Sequence, residues 1–233
     1  MEPVELRRPL LVAAVLLGGL VLVIELGMAA TVALKFGGAV PALQPSDRST
    51  PGIGIAYLAA FDFFLLYSLT QMTLSELISK KIVGRAQGWV GMVISLVALG
   101  VLFVMFFLAF GRLVLMVSLL LAPIFGTLAY FALFADFDRG VAAATLGSLL
   151  MLKIALAVCA LFAHVRMLQN KSFVGLVLVS IGLTMLVAFL HAFPPGFLAN
   201  IGDSIGALVI VVLAILWALL LLFGSVRAIF KSP

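Results

Sequence analysis

The fold this sequence predicts is an all-α, polytopic transmembrane helical bundle of six or seven spans, its fourth segment broken at Pro123 and Gly126. Three observations predict it. Of 233 residues, 65% are hydrophobic and only 10% are charged, whereas a soluble domain carries about a quarter charged residues to keep its surface wet. The mean hydropathy is +1.36, so lipid must cover most of the exterior. Uninterrupted apolar runs, each about 20 residues or longer and so able to cross a bilayer as a helix, recur between short polar links.

The runs are 9–34, 55–74, 86–111, 113–135, 140–165, 173–193 and 204–226, in one domain over 1–233 with no soluble part. The first follows Arg7 and Arg8 and contains a single charge, Glu25. Gly27-Met28-Ala29 offers small residues where a signal peptidase cuts, but apolar character continues to Leu34, so an uncleaved first span is expected. The link 35–54 is rich in Gly, Pro, Ser and Asp and reads as the longest extramembrane loop. The second run holds Asp62 with Tyr67, Ser68, Thr70, Gln71 and Thr73. At 100° per residue its polar groups occupy two opposite faces, and a helix polar on two faces belongs inside a bundle. Lys80, Lys81 and Arg85 precede the third run, and Arg112 divides it from the fourth. Gly84 with Gly88, and Gly202 with Gly206, have the spacing of close helix contacts. The sixth run has Ser180 and Thr184 one turn apart and ends at Pro194-Pro195-Gly196. The seventh, uncharged and rich in Leu, Val and Ile, is expected to be the most lipid-exposed.

Seven runs imply seven crossings, but the distribution of basic residues objects. With seven, the N-terminal side receives Arg7, Arg8, Lys80, Lys81, Arg85 and Arg139, and the other side Lys35, Arg48, Arg112, Arg166, Lys171, Arg227 and Lys231, which is no bias. If 113–135 is instead a re-entrant hairpin, the N-terminal side gains Arg166, Lys171, Arg227 and Lys231 in exchange for Arg139. Pro123 and Gly126 then sit at the turn, and arms of about ten residues reach roughly 15 Å, half the hydrocarbon thickness. A single span kinked at Pro123 has the right length too. Both arrangements place the N-terminus in the cytoplasm, in a plasma or inner membrane.

The fifth run has Lys153 at its centre, where a charge costs roughly 2.5–3.5 kcal/mol on insertion scales. Glu25 and Asp62 lie at nearly one level in consecutive antiparallel helices, roughly 5 Å outward of the midplane. The lysine side chain is long enough to reach them. Glu25, Asp62 and Lys153, with Tyr67 and Gln71 as neighbours, therefore form the candidate intramembrane polar centre. It reads either as a structural lock or as a proton- or cation-coupled site. A polar opening to Lys153 would favour transport; a dry, paired lysine would favour a scaffold.

No catalytic or metal-binding motif emerges. Cys159 is alone, and no Cys/His metal spacing exists. His164 and His191 end successive antiparallel runs, roughly 27 Å apart by helical rise, and are expected at the two interfaces. HExxH and Gly-x-Ser-x-Gly are missing. Asn200-Ile201-Gly202-Asp203 lacks the first glycine of the GxGD signature of intramembrane aspartyl proteases, and Asp203, at a helix start, suits a cap. The last run has no lysine where microbial rhodopsins bind retinal. The expectation is a non-enzymatic, transporter- or channel-like membrane protein without cofactor, or else a non-catalytic subunit or scaffold of a larger complex. Its partners would be the lipid bilayer and a protein partner or second copy, not nucleic acid.

Overall fold

The computed structural model describes residues 3–37, 52–77, 80–134, 139–163 and 169–231. Within them the chain forms α1 (Pro3–Gly37), α2 (Ile53–Leu77), α3 (Lys80–Leu121), α4 (Phe125–Phe134), α5 (Arg139–Ala163), α6 (Lys171–Ala192), a 3-10 turn (Gly196–Leu198) and α7 (Ala199–Lys231). Six of these helices carry stretches long and apolar enough to cross a membrane: Arg8–Ala30, Ile53–Ser75, Ala86–Leu121, Arg139–Ala163, Lys171–Ala192 and Gly196–Phe230. The protein is an integral-membrane type of helical bundle.

The central helix is α2. It packs against α1 on one side, α6 on another and α7 on a third, and 67% of an 18-residue apolar stretch of it is buried, the highest share among the six spans. That placement suits its two polar faces, because each can find a partner in protein. Helix α1 also packs on α5, α5 on α6, and α3 lies along α7. The most lipid-exposed span is α3, only 17% buried against 33% for the α7 span. The expectation for 204–226 is thus corrected: α7, though uncharged there, is wedged among α2, α3 and α6, and α3 shields it.

Glycines set the close approaches. A Cβ on Gly88 would lie 2.9 Å from Ile229, and one on Gly202 would lie 2.7 Å from the Leu190 carbonyl oxygen, so both mark contacts within one chain. Gly206 meets Leu190 and Val187 at an ordinary distance.

The runs 86–111 and 113–135 do not form two separate segments. Helix α3 continues through Arg112 to Leu121, because the guanidinium finds a polar partner: Nη2 donates to Asn200 Oδ1 at 3.1 Å. The chain reverses instead at Pro123, which has no amide to continue the ladder. Ile124 follows with φ of 57°, a left-handed conformation costly for a β-branched residue. Gly126 closes the turn: a Cβ there would stand 2.5 Å from the Leu119 carbonyl oxygen, which lies four residues before the proline. The first arm therefore continues the direction of α3 and does not turn back into the bundle at Arg112. Its return arm, α4, closes a small satellite core of Met116, Tyr130 and Phe134.

Candidate functional site

Four helices each send a polar side chain to one point. On α5 the buried stripe is Leu146, Leu149, Lys153, Leu156, Ala157 and Ala160, so helical spacing turns the lysine inward. On α1 the stripe Leu11, Ala14, Val21 and Glu25 is buried. Gly18 lets this stripe approach, since a Cβ there would lie 3.1 Å from both Leu156 and Leu66. Asp62 lies on α2 beside the enclosed Phe61. Ser180 and Thr184 belong to the buried stripe of α6.

The geometry is that of a coordinated ammonium. Lys153 Nζ lies 3.2 Å from Glu25 Oε1 and 2.5 Å from Asp62 Oδ2, and it donates to Thr184 Oγ1 at 2.7 Å. An ammonium has three donors; Thr184 Oγ1 accepts one, and the two carboxylate oxygens stand by as ion-pair partners. Ser180 Oγ donates to Asp62 Oδ1, and Thr184 Oγ1 donates to the Ser180 carbonyl oxygen at 3.0 Å. Asp62 thus receives a contact on each oxygen. Glu25 Oε1, Glu25 Oε2 and Asp62 Oδ2 have no hydrogen-bond partner; Oε1 and Oδ2 face the ammonium as ion-pair contacts. Exposure is 0% for Glu25, 3% for Asp62 and 1% for Lys153, so no bulk water screens them.

The structure brings Glu25, Asp62 and Lys153 together and adds Ser180 and Thr184. It does not bring Tyr67 and Gln71 to them. Gln71 Oε1 accepts from Gln87 Nε2 at 2.7 Å, and Tyr67 Oη approaches Gly91, where a Cβ would lie 3.3 Å away. These two residues face α3, away from the side of α2 that carries Asp62, as the 140° between positions 62 and 67 requires. They are therefore not neighbours of the lysine. The signal for Ser180 and Thr184 was their one-turn spacing on the buried face of a helix.

A second buried polar group sits at the N-terminal end of α2. Asp203 Oδ2 and Oδ1 accept from the backbone amides of Ile53 and Gly54, at 2.5 and 2.7 Å. It caps a helix 150 residues earlier, not its own. His191 Nε2 lies 3.4 Å from Asp203 Oδ1, and its Nδ1 bonds the Val187 carbonyl oxygen at 2.8 Å. A carbonyl only accepts, so Nδ1 carries the proton. His191 is 5% exposed, which corrects its expected place at an interface; His164 lies outside the described residues. Asn200 Nδ2 donates to the Phe134 carbonyl oxygen, Tyr130 Oη to that of Phe197, and Arg139 to that of Pro194. The first two contacts pin α4 to the start of α7, and the third ties the start of α5 to the turn after α6.

Among the described residues no group of three or more His, Cys, Asp or Glu side chains could hold a metal. A shallow apolar groove of about 370 Å³ lies between α3 and α7, lined by Phe106, Phe110, Leu208, Val209, Val212 and Leu213. Comparison with protein-family models, curated proteins and solved structures finds no match for this chain.

Proposed function

We propose that the protein is a transport-type membrane protein whose Glu25–Asp62–Lys153 triad is an occluded ion-binding centre. The observation that carries this is a charge count in a dry place. Two carboxylates within reach of one ammonium, at 3.2 and 2.5 Å, leave a net charge of −1 unless one more positive charge is bound. An uncompensated buried charge costs several kcal/mol. A lock would need one acid; the second, Glu25, has an oxygen without a donor. The electroneutral form is one ammonium, one carboxylate and one carboxylic acid. Asp62, contacted on both oxygens, is the better anion, so Glu25 is the proton-binding member.

The arrangement joins α1, α2, α5 and α6, so gain or loss of that proton would bear on how four helices pack. Ion movement through the membrane needs such a coupling between occupancy and conformation. The test is proton flux into proteoliposomes under an imposed gradient. Flux in the wild type that is abolished in Glu25→Gln and Asp62→Asn, with both variants folded, supports the reading. Equal flux in all three, or none in the wild type, overturns it.

A second reading is favoured by the enclosure itself. With exposures between 0 and 3%, the triad is also what a static fastening of α1, α2 and α5 looks like. The protein would then be a non-catalytic subunit or scaffold, with a protein partner or second copy against its membrane surface. Copurification of a stoichiometric partner with no ion movement would select it. Under either reading the N-terminus is placed in the cytoplasm of a plasma or inner membrane, from the basic residues at that end and beside Lys80.

A further inference from the structure

Lys153 Nζ is held by oxygen alone: a glutamate oxygen at 3.2 Å, an aspartate oxygen at 2.5 Å and a threonine hydroxyl at 2.7 Å. The Ser180 hydroxyl is bonded to the same aspartate. Three side chains from three other helices thus build an oxygen cage around the ammonium, and a fourth, Ser180, holds the aspartate among them. Ca²⁺ takes six to eight oxygens, and Mg²⁺ demands near-octahedral ligands at about 2.0–2.1 Å. Few ligands at ammonium-like distances suit neither. They suit a single positive charge of ammonium size.

We propose that this cage is an alkali-cation site, for Na⁺ or K⁺, which the Lys153 ammonium occupies as a built-in competitor. The inference rests on the transport reading for its biological use, since it names the ion class that would exchange with the lysine. The site itself is a matter of equilibrium binding, so its failure is separate from a failure of flux. The fully buried carboxylates have hydrogen-bonding capacity to spare, since neither Glu25 oxygen nor Asp62 Oδ2 has a hydrogen-bond donor of its own, which is what a bound cation would satisfy. When the ammonium leaves, an alkali ion restores the charge it carried, and no covalent step is involved.

The test removes the tether and keeps the cage. Lys153→Ala opens the space of the lysine stem, whereas Lys153→Met keeps that space filled. Each is purified in detergent, and thermal unfolding is followed in choline, sodium and potassium chloride at equal ionic strength. The expected result is a midpoint for Lys153→Ala raised by about 5 °C in saturating sodium or potassium relative to choline. No such difference is expected for Lys153→Met or the wild type, and adding Asp62→Asn to Lys153→Ala abolishes the shift. Identical midpoints for Lys153→Ala in all three salts overturn the proposal. If that variant cannot be purified from choline buffer, its recovery in an alkali salt supports the proposal and its failure in all three salts overturns it. Flux measured on the wild type then reports on transport separately.

Discussion

Asp203 Oδ1 accepts a hydrogen bond from the backbone amide of Gly54 at 2.7 Å, so the seventh helix closes the exposed donors at the start of the second. A carboxylate at a helix N-terminus also meets the positive end of the helix dipole. The approach is close enough that Gly54 has no room for a side chain. A Cβ there would stand 2.6 Å from that same carboxylate oxygen.

Asp203→Ala should therefore destabilise the protein by about 1–3 kcal/mol, since it leaves buried amides without acceptors. Gly54→Ala should cost a similar amount, about 1–3 kcal/mol, through overpacking. The two should not add. Once the carboxylate is gone its 2.6 Å clash goes with it and only the 3.2 Å approach of Val187 Cγ1 is left to relax, so the double variant should be only slightly less stable than Asp203→Ala alone. Detergent denaturation of all four proteins measures this cycle, and full additivity would separate the cap from the glycine.

Lys153→Met strands the triad's one carboxylate in an apolar interior without its counter-charge, and breaking a buried pair in this way costs about 3–5 kcal/mol. Combining it with Glu25→Gln and Asp62→Asn removes every charge while keeping side-chain volume. That triple variant should recover most of the loss in thermal unfolding. A triple variant as unstable as Lys153→Met would show that packing of the lysine stem matters more than charge.

Six helices are long and apolar enough to cross and α4 is not, an arrangement that predicts both chain ends on one side. In a Cys159→Ala background, cysteines placed at Arg8 and Arg227 should react with a membrane-impermeant maleimide from the same side, and one at Phe125 from the other. Arg8 and Arg227 labelling from opposite sides would require a seventh crossing.

Gly126→Val should open the hairpin, since its Cβ would stand 2.4 Å from that of Ala122. The expected cost is about 1–3 kcal/mol, confined to the α3–α4 turn. Limited proteolysis near Pro123 should therefore accelerate while the midpoint of global unfolding moves little.

Much of this architecture is legible in the sequence because lipid imposes a simple rule: apolar stretches of bilayer length are helices. The hairpin turn was legible as well, since Pro123 cannot donate a hydrogen bond wherever it sits. What local pattern could not reveal was partnership at long range. Arg112 reads as the end of a run, and becomes the middle of a helix only because Asn200 lies beside it. Asp203 reads as a cap for its own helix, yet serves α2. Depth along successive helices was enough to group Glu25 and Asp62 with Lys153, because antiparallel neighbours share a level. Rotation about the helix axis decided the rest: it turned Gln71 toward Gln87, and brought in Thr184 from a helix whose order in the chain says nothing of its neighbours.

The claim beneath the functional reading is that the triad holds one proton on its carboxylate pair. Infrared difference spectroscopy of the purified protein reads it directly, through the C=O stretch of a protonated carboxyl group. The wild type should show one such band that disappears in Glu25→Gln, and also in Asp62→Asn, because a single remaining acid is neutralised by Lys153. A wild type without the band, or a band that survives both substitutions together, would contradict the account.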